Sequence, residues 1–482
     1  MIPEQVDLKT VIIPVFICVL GLAIGFLSLG MGPASFLLII IPAVMALVFY
    51  RFIYGVYLLI FTLPYLSVFV YEWFGVNLKI SDFVALICIL VFLTKFALRS
   101  EKIFSFSPVM IPLGIFMLIT IIIFFIHYPQ VAGLSGVDGL NSPALRSIKV
   151  VFWMIFSVLT SVVVCSAIKT EEELQNCVKI LLITTVIVCV YSLVGLAGYL
   201  LHIKALTWKL VSSPGGFVRL RGTFGEPSYF AHYMAVVLPI ALTVFILRIY
   251  RLGFVGPTIW MFILFVTQIL IFSTTGLVGM LIMVILVLFF MRHYGLLTFR
   301  ERFRYTMVFI AAAVAFLFFW AAFNPDLLKV STGTLAKLLV PETRFSGILL
   351  GVRMFCDNFL TGVGPGNWDW FSRPYVPEIT ALTGLVPSFN NLYFEILLDV
   401  GIIGFIPFAF IFIVLFKHLS KAIRITDDKF LQAVLVGFLV GFIVLLLEYM
   451  ASFNFYRIYT WVPLGIAMAA IRLAHEKKIR IR

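Results

Sequence analysis

The sequence predicts an all-α fold: a polytopic membrane helix bundle of about fourteen spans, one integral domain over residues 1–482, with a long outer loop that carries amphipathic helices. Three observations predict it. The 482 residues are 63% hydrophobic and only 12% charged, with a mean hydropathy of +1.15, where soluble domains carry a charged share of roughly 25%. Apolar runs of about 17 to 25 residues recur from end to end, each long enough to cross a hydrocarbon core of roughly 30 Å at about 1.5 Å per residue. Lys and Arg are divided unevenly between the two faces that these runs define. The runs are apolar on every side and do not alternate in segments of about ten residues, which excludes a transmembrane barrel.

The spans fall near 11–29, 34–50, 52–71, 80–96, 108–126, 149–168, 177–201, 229–247, 256–273, 275–291, 306–323, 391–416, 430–449 and 453–472. Two pairs are tight, meeting at Arg51 and at 273–276, where one long bent helix is the competing reading. The N-terminal MIPEQVDLK has no cationic n-region and the run that follows has no small-residue cleavage site, so this segment is expected to stay as a signal anchor. With the N-terminus inside, about 22 of the 35 Lys and Arg are cytoplasmic, in clusters such as Arg292, Arg300, Arg302 and Arg304, or Lys417, Lys421, Arg424 and Lys429, and in the tail HEKKIRIR. About 13 lie outside, five of them in the segment 324–390, which exceeds the short-loop range of the positive-inside rule. The expected topology is N-in and C-in. The net charge of +13 therefore reflects topology, and no nucleic-acid partner is expected. Cys18, Cys88, Cys165, Cys177, Cys189 and Cys356 lie in or beside apolar runs without metal spacing or an evident disulfide framework, and read as packing residues.

Three outer segments are long enough to build something: 127–148, 202–228 and the long loop 324–390. The cytoplasmic loops are short and basic, so chemistry is expected outside. In RLRGTFGEPSYFAHY (219–233), Arg219 and Arg221 suit a phosphate or diphosphate, because a guanidinium stays charged and forms two parallel hydrogen bonds. Glu226 and Pro227 open a helix, where Glu226 is either a catalytic acid or a cap. His232, one turn inside, is either a catalyst or a packed core histidine.

In ETRFSGILLGVRMFCDNFLTGVGPGNW (342–368), the residues Phe345, Ile348, Leu349, Val352, Phe355, Cys356 and Phe359 keep helical spacing. Arg344 and Arg353 fall at opposite edges of that stripe, placed either to hold phosphate or to snorkel to head groups of a bilayer on which the helix lies. Gly362, Gly364, Pro365 and Gly366 then form a stiff turn before Trp368 and Trp370, whose faces can bind sugar rings or anchor the loop at the interface. In PSFNNLYFEILLDVGIIGF (387–405), Asn391, Glu395 and Asp399 are spaced by four and share one helix face. An acid at a span centre costs roughly 2.5 to 3.5 kcal/mol of insertion free energy, less near the edge, and two such acids favour a site over a structural ion pair.

Together these stretches resemble the O-antigen ligase and polymerase superfamily of bacterial envelope enzymes, over roughly residues 210–405. GTFGEPSYFA after the paired arginines resembles that family's Arg and Gly-Thr-Phe element, LTGVGPGNW its Gly-Val-Gly turn, NNLYFEILLDVGIIG its loop-to-helix closing motif, and FSTTGLVGML (272–281) its Ser-rich turn. The resemblance implies a GT-C-like glycosyltransferase architecture in the bacterial cytoplasmic (inner) membrane. It implies transfer of a glycan from undecaprenyl diphosphate to an acceptor hydroxyl at the periplasmic face, with no cofactor. The partners expected are undecaprenyl-diphosphate-linked glycans, membrane lipids and a chain-length regulator protein. The early outer loops lack the acidic cluster a hard divalent cation demands, so no metal is expected. The catalytic candidates are Glu226, Arg221, Glu395 and His232; the diphosphate candidates are Arg219, Arg221, Arg344 and Arg353; the glycan candidates are Trp368, Trp370, Asn390 and Asn391. Family ligases usually carry a histidine where Asn390 stands, and asparagine cannot accept a proton, which favours a repeat-unit polymerase over a ligase to lipid A core. A polysaccharide or lipid transporter is the competing class; carriers commonly show two related halves, and this sequence shows no repeat.

Overall fold

A computed structural model describes residues 45–67, 70–73, 76–98, 103–134, 142–203, 211–213, 217–249, 255–301, 304, 307, 342–387, 390–452 and 455–481. The elements in order are α1 (Phe52–Thr62), β1 (Val70–Trp73), β2 (Val76–Lys79), α2 (Ile80–Ala97), α3 (Met110–Val131), α4 (Pro143–Ala167), α5 (Glu171–Leu200), β3 (Val211–Ser213), β4 (Phe217–Arg219) and α6 (Pro227–Ile246). There follow α7 (Val255–Leu270), α8 (Thr274–His293), α9 (Glu342–Asp357), α10 (Trp368–Phe371), α11 (Val376–Thr383), α12 (Leu392–Ile425), α13 (Lys429–Glu448) and α14 (Ile458–Ile481). Among the described residues nine helices are long and apolar enough to cross a membrane, and two shorter apolar helices accompany them. The chain is a multi-pass helical membrane protein. The predicted span 11–29, with its anchor role, and most of 34–50 and 306–323 lie outside the described residues.

Both tight pairs are broken helices. Arg51 takes an extended φ of −131° and N-caps α1. Phe272 has a φ of +50° between α7 and α8, and the Ser273 hydroxyl accepts from Gly276 N at 3.4 Å. Local chemistry also fixes other helix starts. Ser142 caps α4 ahead of Pro143, Thr170 and Glu173 form a reciprocal capping box on α5, and Asp428 caps α13. The fold departs from all-α at two antiparallel hairpins, β1 with β2 and β3 with β4, whose four- and three-residue strands are too short to show a period of two in sequence.

Helices α6 and α14 are the most enclosed, with 89% of each span buried, against 28% for α3. Helix α13 lies against α6 at the two small residues Gly437 and Gly441, where an added Cβ would come within 2.6 Å of Ile240 Cα and 3.1 Å of Val236 Cα. Small residues four apart let two backbones approach in this way. The Thr243 hydroxyl, donating to Ala433 O at 2.8 Å, pins the crossing.

Helix α12 is interrupted. Gly401 has φ +61° and ψ −169°, so the helical hydrogen bonds stop on either side of it. A span cannot leave such groups bare. Residues 359–363 supply the missing partners: Val363 N donates to Leu398 O (2.7 Å), Ile402 N to Phe359 O (3.0 Å) and Ile403 N to Leu360 O (3.3 Å). The Gly-Val-Gly turn and the closing motif, some forty residues apart, thus form one unit. A Cβ at Gly401 would collide with Leu360 O, and one at Gly362 with Leu398 O. Gly401→Ala is therefore expected to lower stability by about 2 to 4 kcal/mol, combining left-handed strain with steric overlap. Gly384→Ala, at φ +71° with open space around it, should lose only about 1 kcal/mol. Thermal unfolding in detergent compares the two; equal losses would show that the docked loop contributes nothing at Gly401.

Candidate functional site

The site forms at the end of the bundle where β4 runs into α6. The turn 220–226 is fastened to its neighbours. Ser67 donates from N and Oγ to Thr223 O at 2.8 and 2.9 Å, the Thr223 hydroxyl donates to Pro64 O, and Leu220 N donates to Leu270 O at 3.2 Å. Phe224 stacks on Phe230 at 4.6 Å beneath the turn. On this base Arg221 donates from Nη1 to Gly225 O at 3.0 Å, while the Nε atoms of Arg219 and Arg221 are buried without a hydrogen-bond partner. Burial lowers the pKa of Arg219, and the charge of Glu226 acts against that shift. Glu226 occupies the N-cap position of α6 with Pro227 after it, yet its exposed carboxylate makes no capping hydrogen bond. The cap explanation of this acid is not what the structure displays.

A second set of groups comes from the segment 455–457 and the end of β2. Trp461 Nε1 donates to Phe455 O at 2.7 Å and fixes the segment. The Arg457 guanidinium lies over the Tyr229 ring at 4.9 Å, with Nη2 donating to the phenol at 3.5 Å. Tyr229 is on the first turn of α6, three residues after Glu226. Lys79 is close enough to Arg457 for the two charges to repel, and burial first and Arg457 second lower its pKa to about 8, with Asp82 opposing. Asp82 accepts from Lys79 N at 3.0 Å.

The acids of α12 form a third set. Glu395 and Asp399 are buried, at 7% and 1% exposure, and both interact with Arg146. Asp399 Oδ1 accepts from Gly366 N at 3.0 Å, and the Tyr456 phenol donates to Oδ2 at 3.5 Å. Burial, then Asp399 and Glu395, hold Tyr456 well above the ordinary range of a phenol, which keeps it a donor. Arg146 donates to Asp369 at 2.7 Å, and His127 meets the Thr361 hydroxyl at 3.1 Å, so α3 and α4 clasp the docked loop. Glu395 Oε2 is buried without a partner.

The remaining sequence candidates are placed elsewhere. His232 is fully buried, 3.9 Å from Glu448 Oε2 and edge-on to Tyr449, beside a cavity of about 10 Å³ lined by Gln268, Gly279, Met280 and Glu448. It is a core residue that no substrate at the surface touches. Arg353 is shared by Asp357 (3.3 Å) and Glu378 (3.7 Å), joining α9 to α11. Trp368 packs against the small core of Leu350, Met354, Ile379 and Leu398, and Arg373 covers the Trp370 ring at 4.4 Å. Asn391 caps α12, accepting from Tyr393 N at 2.9 Å, and donates to Met450 O at 2.9 Å; Asn390 is exposed. The side chain of Arg344 lies outside the described residues.

Sequence reasoning passed over Lys79, Arg146, Tyr229, Tyr456 and Arg457. A signal for the three cations was present, since each is a charge at the start of a helix long and apolar enough to cross a membrane. No family model matches the sequence, and no curated protein does. The Lys79 amine should lose its proton near pH 8, remaining charged below that and neutral above it. The pH dependence of acetic anhydride labelling, read at Lys79 by mass spectrometry, checks this. A midpoint above about pH 10 would mean that the amine is fully hydrated.

Proposed function

We propose that the chain is a glycosyltransferase that joins undecaprenyl-diphosphate-linked oligosaccharide repeat units, of O-antigen or exopolysaccharide, at the periplasmic face of a bacterial inner membrane. The observation that carries this reading is the turn 219–226. It gathers two arginines with buried, unpartnered Nε donors and an adjacent acid that caps nothing. Arginines aimed at a diphosphate stabilise the charge that develops there when a sugar leaves.

In the reaction, an acceptor hydroxyl oxygen bonds to the anomeric carbon of the donor sugar. The bond from that carbon to the diphosphate oxygen breaks, and its electron pair stays on the diphosphate, beside Arg219 and Arg221. The hydroxyl proton passes to a carboxylate. Glu226 is exposed and adjacent to the arginines, which suits it to that role, while Asp399 is occupied in holding Gly366 and Tyr456. Helix α9 adds a membrane contact: Phe345, Ile348 and Val352 are exposed, whereas Ser346, Leu350 and Met354 face the protein. An outward apolar stripe on a loop helix suits a bilayer surface, where a lipid-linked donor is held.

Polymerisation of purified lipid-linked repeat units tests the reading. Arg221→Ala should abolish product at normal protein abundance, and Arg221→Lys should recover only a small fraction, since a point charge lacks the bidentate fork. Full activity in the Lys variant would reduce Arg221 to a contact with head groups. Glu226→Gln should cut turnover by about 100-fold or more with acceptor binding kept. Asp399→Asn should cost less, because an amide oxygen still accepts from Gly366 N. Near-normal turnover in Glu226→Gln would remove it as the base and leave Glu395 as the next acid.

A further inference from the structure

We propose that Glu448, Gln268 and His232 form a binding site for one sodium ion in the core of the bundle. The site is separate from the turn 219–226, and its test does not depend on the function proposed above.

Three helices bring these groups together and a fourth makes room for them. Glu448 ends α13, His232 stands on the second turn of α6 and Gln268 on the last turn of α7, and all three are buried. Helix α8 contributes Gly279, so close that an added Cβ would come within 2.6 Å of Glu448 Oε1. The carboxylate and the Gln268 amide line a cavity of about 10 Å³, room for about one water-sized body, whose other walls are apolar. His232 Nε2 lies 3.9 Å from Glu448 Oε2, which is too far for a hydrogen bond, and among the described residues no other ion-pair partner reaches that carboxylate.

Both Glu448 oxygens, both His232 nitrogens and Gln268 Oε1 are buried without a hydrogen bond. The Gln268 amide cannot turn over to help, because its Nε2 donates to Gly276 O at 3.0 Å and a flipped oxygen would face that carbonyl. Nearby phenols supply no donor either. Tyr449 is paired with the Thr460 hydroxyl at 2.6 Å, and the Tyr459 hydroxyl, which senses the Glu448 charge, makes no hydrogen bond. With Glu448 ionised and His232 neutral, the acceptors of Glu448, Gln268 and one imidazole nitrogen face a single N–H. A water adds as many donors as acceptors and leaves that surplus in place. A cation meets acceptors alone and also cancels the carboxylate charge, whose burial unpaired is strongly unfavourable. One acid calls for one charge, and hard oxygen ligands around a water-sized space suit sodium; a divalent ion such as calcium takes more carboxylate and carbonyl oxygens than these.

Thermal unfolding of the whole chain in sodium-free maltoside detergent, with chloride salts added at equal ionic strength, tests this. Sodium should raise the wild-type midpoint by about 2 °C or more over choline, with potassium, a larger ion, well below sodium. The shift should shrink as pH falls, because a proton on Glu448 or His232 takes the ion's place; Tyr449 and Tyr459 are the other titratable groups that face them. Glu448→Gln keeps the shape, loses the charge and should abolish the sodium shift. Gln268→Met removes one oxygen ligand and should reduce the shift by about half or more; it serves where Glu448→Gln fails to fold. Arg221→Ala should keep the shift in full, which separates this site from the one proposed for the diphosphate. Equal midpoints in sodium and choline for the wild type, or a full sodium shift in either folded variant, overturn the site. A wild-type midpoint that follows pH but not sodium also overturns it, and identifies the occupant as a proton with a water.

Discussion

The acid cluster of this protein depends on a helix that is cut at Gly401 and on the backbone that repairs it. At Gly401 the hydrogen-bond ladder of α12 is cut, and Leu398 O, Ile402 N and Ile403 N would face an apolar surrounding with no partner. Residues 359–363 enter and pair with them. Because the partners are backbone atoms, the register leaves no freedom: once Val363 meets Leu398, Gly366 arrives at Asp399 and Asp369 arrives within reach of Arg146. A long loop that would otherwise lie over the surface becomes part of the bundle. The price of burying Asp399 is then offset by a backbone donor, a phenol and a nearby guanidinium.

The second organising element is the short connection 455–457 between α13 and α14. Its three residues divide their roles. Phe455 is buried among aromatic rings, Tyr456 turns to Asp399, and Arg457 turns to Tyr229 and Lys79. One strand of backbone therefore joins an acid cluster to a cation cluster. This is a compact way to bring opposite charges to one end of a helix bundle without pairing them off, which a site for a charged ligand requires. Helices α6 and α13 approach closely at Gly437 and Gly441.

Two of the buried acid groups, the pair on α12 and Glu448 on α13, differ in what surrounds them. Glu395 and Asp399 open toward Arg146 and the docked loop, whereas Glu448 faces His232 and a cavity of about 10 Å³ inside the core. An ionisable residue among spans is expensive wherever it lies. Only the first pair includes an acid held by named hydrogen bonds, from Gly366 N and the Tyr456 phenol to Asp399.

The spans were legible in the sequence because a helix in lipid must be apolar over a fixed length, whatever it packs against. The 80–96 run is α2 and the 430–449 run is α13, each within a residue or so. The starts of α4 and α5 were not legible in this way: the predicted spans begin at 149 and 177, where the apolar runs begin, whereas the caps Ser142 and Thr170 stand about seven residues ahead of them. The shared face of Asn391, Glu395 and Asp399 followed from a spacing of four alone. The sequence could not show that Asn391 turns to Met450 while Asp399 turns to Gly366, or that Arg353 is held by Asp357 and Glu378 instead of standing with Arg219. Nor could it join Lys79 to Arg457, which are hundreds of residues apart in the chain. Hydrophobicity is a local property, and so the sequence by itself located the apolar cores of the spans but not their ends, as α14 (Ile458–Ile481) against the predicted 453–472 shows. The neighbours of a charge depend on which helices pack together, and so only the tertiary structure decided which cations meet, which acids are covered and where the loop enters the bundle.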